Sequence, residues 1–206
     1  IRLSGNQFSG SIPSELGITM PKLERLHIGD NVLSGTIPTE LFQCQTLTWL
    51  ELKNNKLTGT IPTEIGFITG LVYVWLDGNQ LTGTIPSEMG GLSELRGLHV
   101  QQNQLVGSIP EEVYVLEYLT FWDLRNNDMT GTISTTIGNL NSLSWLLLSD
   151  NHLSGTIPTE ISLASRLNRL AIDGNQFRGT MPTALCARKG EHVLEFVRAD
   201  CAPSSS

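Results

Sequence analysis

Four histidines, three cysteines and twenty acidic residues are the groups in this chain that could hold a metal, move a proton or act as nucleophiles. Metal sites need ligands clustered at short spacing, yet His27, His99, His152 and His192 are scattered and no cysteine joins them. A serine nucleophile in a G-x-S-x-G turn is absent as well. Glycosidases set two carboxylates across a scissile bond, and Glu51 with Asp77 is the one pair here that imitates them. A single pair on a charged surface needs no catalytic explanation. No catalytic residue, metal or cofactor is therefore expected. The remaining chemistry is recognition: Trp49, Tyr73, Trp75, Phe121 and Trp145 are flat, polar-edged side chains of the kind that bind peptides and sugar faces.

What could gather these residues is a repeat. Asn stands at 31, 55, 79, 103, 127, 151 and 175, always 24 residues apart, with Asn6 ahead of them. Each unit opens on Leu, at 23, 47, 71, 95, 119, 143 and 167, as Leu-x-x-Leu-x-Leu or a close variant. That pattern alternates at its end, so it reads as a short strand with alternate residues inward. One such strand cannot bury its apolar side, and stacked copies about 4.8 Å apart share a continuous core. The column Asn is expected inward, tying its own turn to the backbone of the next coil. Gly follows at 35, 59, 83, 107, 131, 155 and 179, then Ile or Met two residues on. Leu57, Gly59 and Ile61 should point in, and Thr58 and Thr60 out. Pro comes next in every copy except the sixth, which has Ser134, and is expected to open a short helical turn. Glu40, Glu64, Glu88, Glu112 and Glu160, two residues after it, suit the helix dipole.

The segment N-x-L-x-G-x-I-P-x-E-(I/L)-G resembles the plant-type leucine-rich repeats of receptor-kinase ectodomains and polygalacturonase-inhibiting proteins. The GTIPTEIG form, with the ending LCA…VRADCAP, also resembles secreted repeat proteins of algae such as diatoms. The likeness covers residues 1 to about 190. It implies an α/β repeat: a leucine-rich-repeat solenoid with a concave parallel sheet, a short second strand per coil and 3-10 or short helical turns on the convex side. Receptor ectodomains imply a peptide or protein ligand, and the inhibitor proteins imply a cell-wall hydrolase as partner.

Residues 1–190 are expected to form about eight coils of 24 residues, the first truncated, since Ile1 and Leu3 match Leu26 and Ile28. Upstream coils or a cap are expected before Ile1. A capping segment over 191–203 keeps a last strand at Val193–Phe196, with Ala199 at the asparagine position, and 204–206 reads as a tail. Cys186 and Cys201 flank that strand and are placed to form a disulfide, which implies an oxidising, extracellular compartment. Cys44 takes an apolar core position and reads as a buried thiol. A net charge of −7 argues against nucleic acid and anionic lipid, and no apolar run is long enough to enter a membrane. No Asn-x-Ser/Thr acceptor occurs, so N-glycans shield no face.

Two outward faces follow from the register. On the concave one, a first column reads Arg25, Trp49, Tyr73, Gly97, Phe121, Trp145, Arg169, and the next reads Arg2, His27, Glu51, Trp75, His99, Asp123, Leu147, Ala171. Four aromatics in one column, beside Trp75, make a stripe for a peptide, a protein or a cell-wall polysaccharide. Cross-strand ring packing is the bland alternative. Glu51, Asp77, His99, Asp123 and Arg125 would add polar contacts, although Asp30, Asp77, Asp150 and Asp173 read first as solvated turn residues. Trp122 takes an inward position and should be core. The second face carries Thr58/Thr60, Thr82/Thr84 and Thr130/Thr132, broken by Val106/Ser108 and Arg178/Thr180. A regular hydroxyl ladder of that kind would suit ice. The expected function is an extracellular recognition module, with a structural subunit of a surface assembly or an ice binder as alternatives.

Overall fold

In a computed structural model of the chain, residues 1–187 and 196–198 are described. Eight parallel strands form the main sheet in strict chain order: Arg25–His27, Trp49–Glu51, Tyr73–Trp75, Gly97–His99, Phe121–Asp123, Trp145–Leu147, Arg169–Ala171 and Phe196–Arg198. Pairing is in register with the repeat, Trp49 against Tyr73 and Glu51 against Trp75. Arg2 bridges His27 at the start of the sheet. At the far end Arg169 pairs with Phe196, 27 residues on. The count of 24 therefore runs three residues short there, and Ala199 lies outside the described residues. The expected capping segment over 191–203, apart from strand Phe196–Arg198, and the tail lie outside the described residues, as does the expected Cys186–Cys201 bridge.

The core is the stack of inward side chains. Leu26, Leu50, Val74, Leu98, Trp122, Leu146 and Leu170, the middle residues of successive strands, are all buried. Trp122 is core as expected, and its ring meets Tyr114 edge-on at 5.5 Å. Cys44 is a buried free thiol whose pKa is raised by burial. The asparagine column is buried too from Asn31 to Asn151. Asn55 accepts from Leu33 N–H at 2.9 Å and donates to Ile28 and Leu52 carbonyls at 3.1 Å. Asn79, Asn103, Asn127 and Asn151 repeat this pattern. The tie runs to the preceding coil, the reverse of the expected direction. Asn55 lies in the turn beyond strand Trp49–Glu51, within reach of free backbone groups of its own coil and of the coil before.

The second short strands pair in patches, Ser9–Ser11 with Val32–Gly35 and Lys56–Leu57, then Val106–Gly107 with Asp128–Met129, and Ser154–Thr156 with Gln176–Arg178. Gly59 here needs a glycine twice over. Its φ is +78°, and a Cβ would stand 2.8 Å from Thr36 Cγ2 of the coil before. The convex side is made of five-residue 3-10 turns such as Thr39–Gln43 and Thr63–Phe67. Pro38 and Pro62 precede these turns in extended backbone, so proline is the cap residue and not the first helical one. Its missing N–H and fixed φ still explain its place. Where Ser134 stands instead, the extra backbone N–H donates to the buried Tyr114 hydroxyl at 3.3 Å.

Candidate functional site on the concave face

The short strands place outward residues in columns two apart along each strand and one coil apart between strands. All five expected aromatics, Trp49, Tyr73, Trp75, Phe121 and Trp145, stand outward on this sheet and are half-buried. Gly97 breaks their column into two clusters. In the first, Trp49 lies between His27 at 5.2 Å and Tyr73 at 4.4 Å, and Trp75 meets Trp49 and His99 edge-on at 5.2 and 5.6 Å. Lys53 Nζ sits 5.4 Å from the Trp75 ring centre. Tyr73 also leans across Gly97, where a Cβ would be 2.9 Å from its Cδ1. The indole N–H groups of Trp49 and Trp75 are buried without acceptors. In the second cluster Phe121 meets Trp145 edge-on at 5.0 Å, and the Arg169 guanidinium covers Trp145 at 4.3 Å. These rings pack on one another, mostly edge-on, and beside the cations of Lys53 and Arg169.

The polar residues beside the stripe are also sorted by contact. Glu51, 7% exposed, meets His27 Nδ1 at 2.8 Å and accepts from Ser4 Oγ at 3.0 Å. Both of its carboxylate oxygens are thereby occupied. Asp123, 3% exposed, accepts from Arg125 Nε and Nη2 at 2.9 and 2.6 Å, a bidentate pair that holds the Arg125 pKa up. Burial pushes the His99 pKa down. Asp77 departs from the solvated turn residue expected of it: it is half-buried, and burial pushes its carboxyl up to about 6.

Between the Asp123–Arg125 pair and Trp145 the surface drops into an open concavity of about 880 Å³. It is lined by His99, Gln101, Arg125, Trp145 and Arg169, together with the less bulky Leu147, Ser149 and Ala171. Sequence reasoning named His99, Asp123, Arg125 and Trp145 but passed over Gln101 and Ser149. Their signal was available as the outward column that also holds Lys53, Asp77 and Arg125. Trp49, Tyr73 and Glu51 lie outside this concavity.

The second outward face is more regular, though Val106 and Arg178 interrupt it. Thr36, Thr60, Thr84 and Thr132 each set a methyl over the glycine of the following coil, at 2.8 Å from its would-be Cβ. Thr58 and Thr82 hydroxyls each donate to the preceding coil's glycine carbonyl at 3.3 Å. A third column, unnoticed in the sequence, follows the proline positions: Ser14, Thr39, Thr63, Ser87, Thr135 and Thr159, with Glu111 the exception.

The Leucine Rich Repeat family pattern matches residues 1–17, 22–44, 46–68, 70–92 and 142–163, more than half of the chain. No curated protein sequence matches. Among solved structures, a TDR receptor shares 32% identity over 96% of this chain and 34% of its own, with a TM-score of 0.91. The ectodomain of the Arabidopsis receptor kinase HAESA, in complex with a peptide hormone ligand, shares 33% identity over 95% of this chain and 36% of its own, with a TM-score of 0.76. The chain thus spans about a third of the length of these receptors. A plant ice-binding protein shares the fold alone, at 22% identity and a TM-score of 0.66 over 100% of this chain and 84% of its own. Among the described residues no helix is long and apolar enough to cross a membrane.

Proposed function

The chain belongs to the leucine-rich repeat family, and from that premise we propose that it is an extracellular or cell-surface recognition module whose concave face holds a peptide or protein. One observation carries this reading: the concavity between Asp123–Arg125 and Trp145, where side chains step down to Leu147 and Ala171. It offers an apolar floor, an aromatic wall and fixed charges, the mixture that suits a peptide with side chains of several kinds. Cell-wall polysaccharide fits less well, because the ring faces of Trp49 and Trp145 are already covered.

The test fills the concavity without emptying the core. Leu147→Trp should abolish binding of the hits from a combined peptide and glycan array while leaving the melting temperature within about 2 °C. Replacing Trp49, Tyr73 and Trp145 together with Ala tests the bland alternative. Loss of stability with array binding intact would make the rings structural and the chain a candidate subunit of a surface assembly. Hits confined to glycans would move the ligand to polysaccharide.

A second reading, ice binding, is favoured by the three hydroxyl columns on the other face. They repeat at the coil spacing, and Thr36, Thr60, Thr84 and Thr132 set their methyls alike over the following glycine. Such an array is ordered before it binds, so little side-chain entropy is lost on contact with a lattice. Thermal hysteresis of the pure protein decides it, and its absence at high concentration ends the idea.

A further inference from the structure

The carboxylates on and beside the concave face differ in how they are neutralised. Glu51 is held by His27 and Ser4, and Asp123 by Arg125. Asp30 faces Lys53 Nζ at 3.5 Å and accepts from Asn54 Nδ2 at 2.8 Å. Asp173 accepts from Ser149 Oγ at 2.5 Å. Among the described residues Asp77 has no cation within ion-pair distance, and its own backbone N–H is the group that chiefly steadies its charge. The nearest lysine, Lys53, is turned to Asp30 and to the Trp75 ring.

Beside Asp77 stands a second acceptor without a donor. Gln101 Oε1 is buried and unpartnered. Asp77 and Gln101 hold the same position of adjoining 24-residue coils, and Gly78 N–H donates to the Gln101 carbonyl at 3.0 Å, which sets their backbones about 4.8 Å apart. Gln101 also lines the concavity. Two neighbouring acceptors, one of them a partly desolvated carboxylate, call for a donor that brings charge. A hydroxyl would leave the carboxylate uncompensated. A divalent metal needs more oxygen ligands than these two side chains supply.

We propose that Asp77 and Gln101 form a subsite for a cationic group of the bound ligand, an ammonium or a guanidinium, at the edge of the concavity. This rests on the concave-face reading and names the ligand chemistry it selects. Asp30 and Lys53 flank the subsite from the preceding coils, and His99, Asp123 and Arg125 from the following ones. Lys53 and Asp30 satisfy each other, as do Arg125 and Asp123, while burial favours neutral His99. Asp77 must be ionised to bind, so affinity should fall with pH through its raised range.

The probe is N-acetyl-arginine amide, with N-acetyl-citrulline amide as its neutral isostere, titrated into the whole chain by heteronuclear NMR. The arginine probe should shift the Gln101 side-chain amide, and the citrulline probe should not. Binding should weaken roughly tenfold between about pH 7.5 and pH 5. Asp77→Asn should remove both the binding and its pH dependence, Gln101→Met should weaken it, and Asp128→Asn on the other face should change nothing. Equal response to both probes, or a response that survives Asp77→Asn in a folded variant, overturns the subsite. The array result stands apart: hits lost in Leu147→Trp but indifferent to Lys and Arg keep the concave reading and sink this one.

Discussion

The two outward faces of these coils share one backbone and one core, yet they are built on opposite rules. On the concave face no two successive coils present the same set: Trp49, Glu51 and Lys53 are followed by Tyr73, Trp75 and Asp77, then by Gly97, His99 and Gln101. Bulk and charge change from coil to coil, and the small residues leave a hollow. The second face repeats Ser or Thr at every coil in the column after the glycine, from Ser11 to Thr180. Both faces hang on the same asparagine ladder, so the difference lies in the side chains alone. An aperiodic surface can single out one irregular partner, whereas a periodic one can match only a periodic partner.

The largest expected effect would strike both faces at once. Asn103→Leu removes the acceptor for Leu81 N–H at 2.9 Å and the donor to the Leu76 and Val100 carbonyls at 3.1 Å. Stranding these buried groups should cost about 3 kcal/mol or more, read from a denaturant midpoint. A loss below about 1 kcal/mol would mean that the ladder is not what the two faces share.

Gly83→Val should separate them. With φ at +75° and a Cβ 2.8 Å from Thr60 Cγ2, the substitution strains only the second face, at about 2 kcal/mol. Arginine-probe binding on the concave side should survive it. Trp145→Ala is the converse. Losing the Phe121 edge contact and the Arg169 cover should cost about 1 kcal/mol, with loss of array binding and no change in thermal hysteresis.

Asp77→Asn tests the concave electrostatics alone. Its folded pKa is raised from 3.8 to about 6, so the native state holds the proton more tightly than the unfolded chain. This group therefore favours folding more as pH falls from about 6 toward 4, and less above that window. The variant should melt about 2 °C higher than the parent near pH 7.5 and equal to it near pH 4. A gap between variant and parent that widens as pH falls from about 6 to 4 would contradict the sign. Thr84→Ala should be the smallest, within about 0.5 kcal/mol by the same denaturant midpoint.

Much of this was legible in the repeat. Its period assigned Leu50 and Trp122 inward and Trp49 and Thr58 outward, and the structure agrees. It marked Ser134 as a departure, but not that Tyr114, twenty residues earlier, supplies the missing partner. The third hydroxyl column was present as a Ser or Thr after nearly every proline and went unnoticed because it falls in a helical turn. Asp77 was misjudged as solvated because a turn position says nothing about which bulky neighbours crowd it.

The sequence by itself determined the coil, its period and the sides of each strand, because those follow from local alternation and the need to bury apolar side chains. Only the tertiary structure decided what each outward group meets. Trp145 finds Arg169 one coil on, Asp123 finds Arg125 on its own strand end, and Asp77 is left beside the unpartnered Gln101 oxygen. Those pairings depend on rotamers and on the spacing between coils. A linear pattern carries neither.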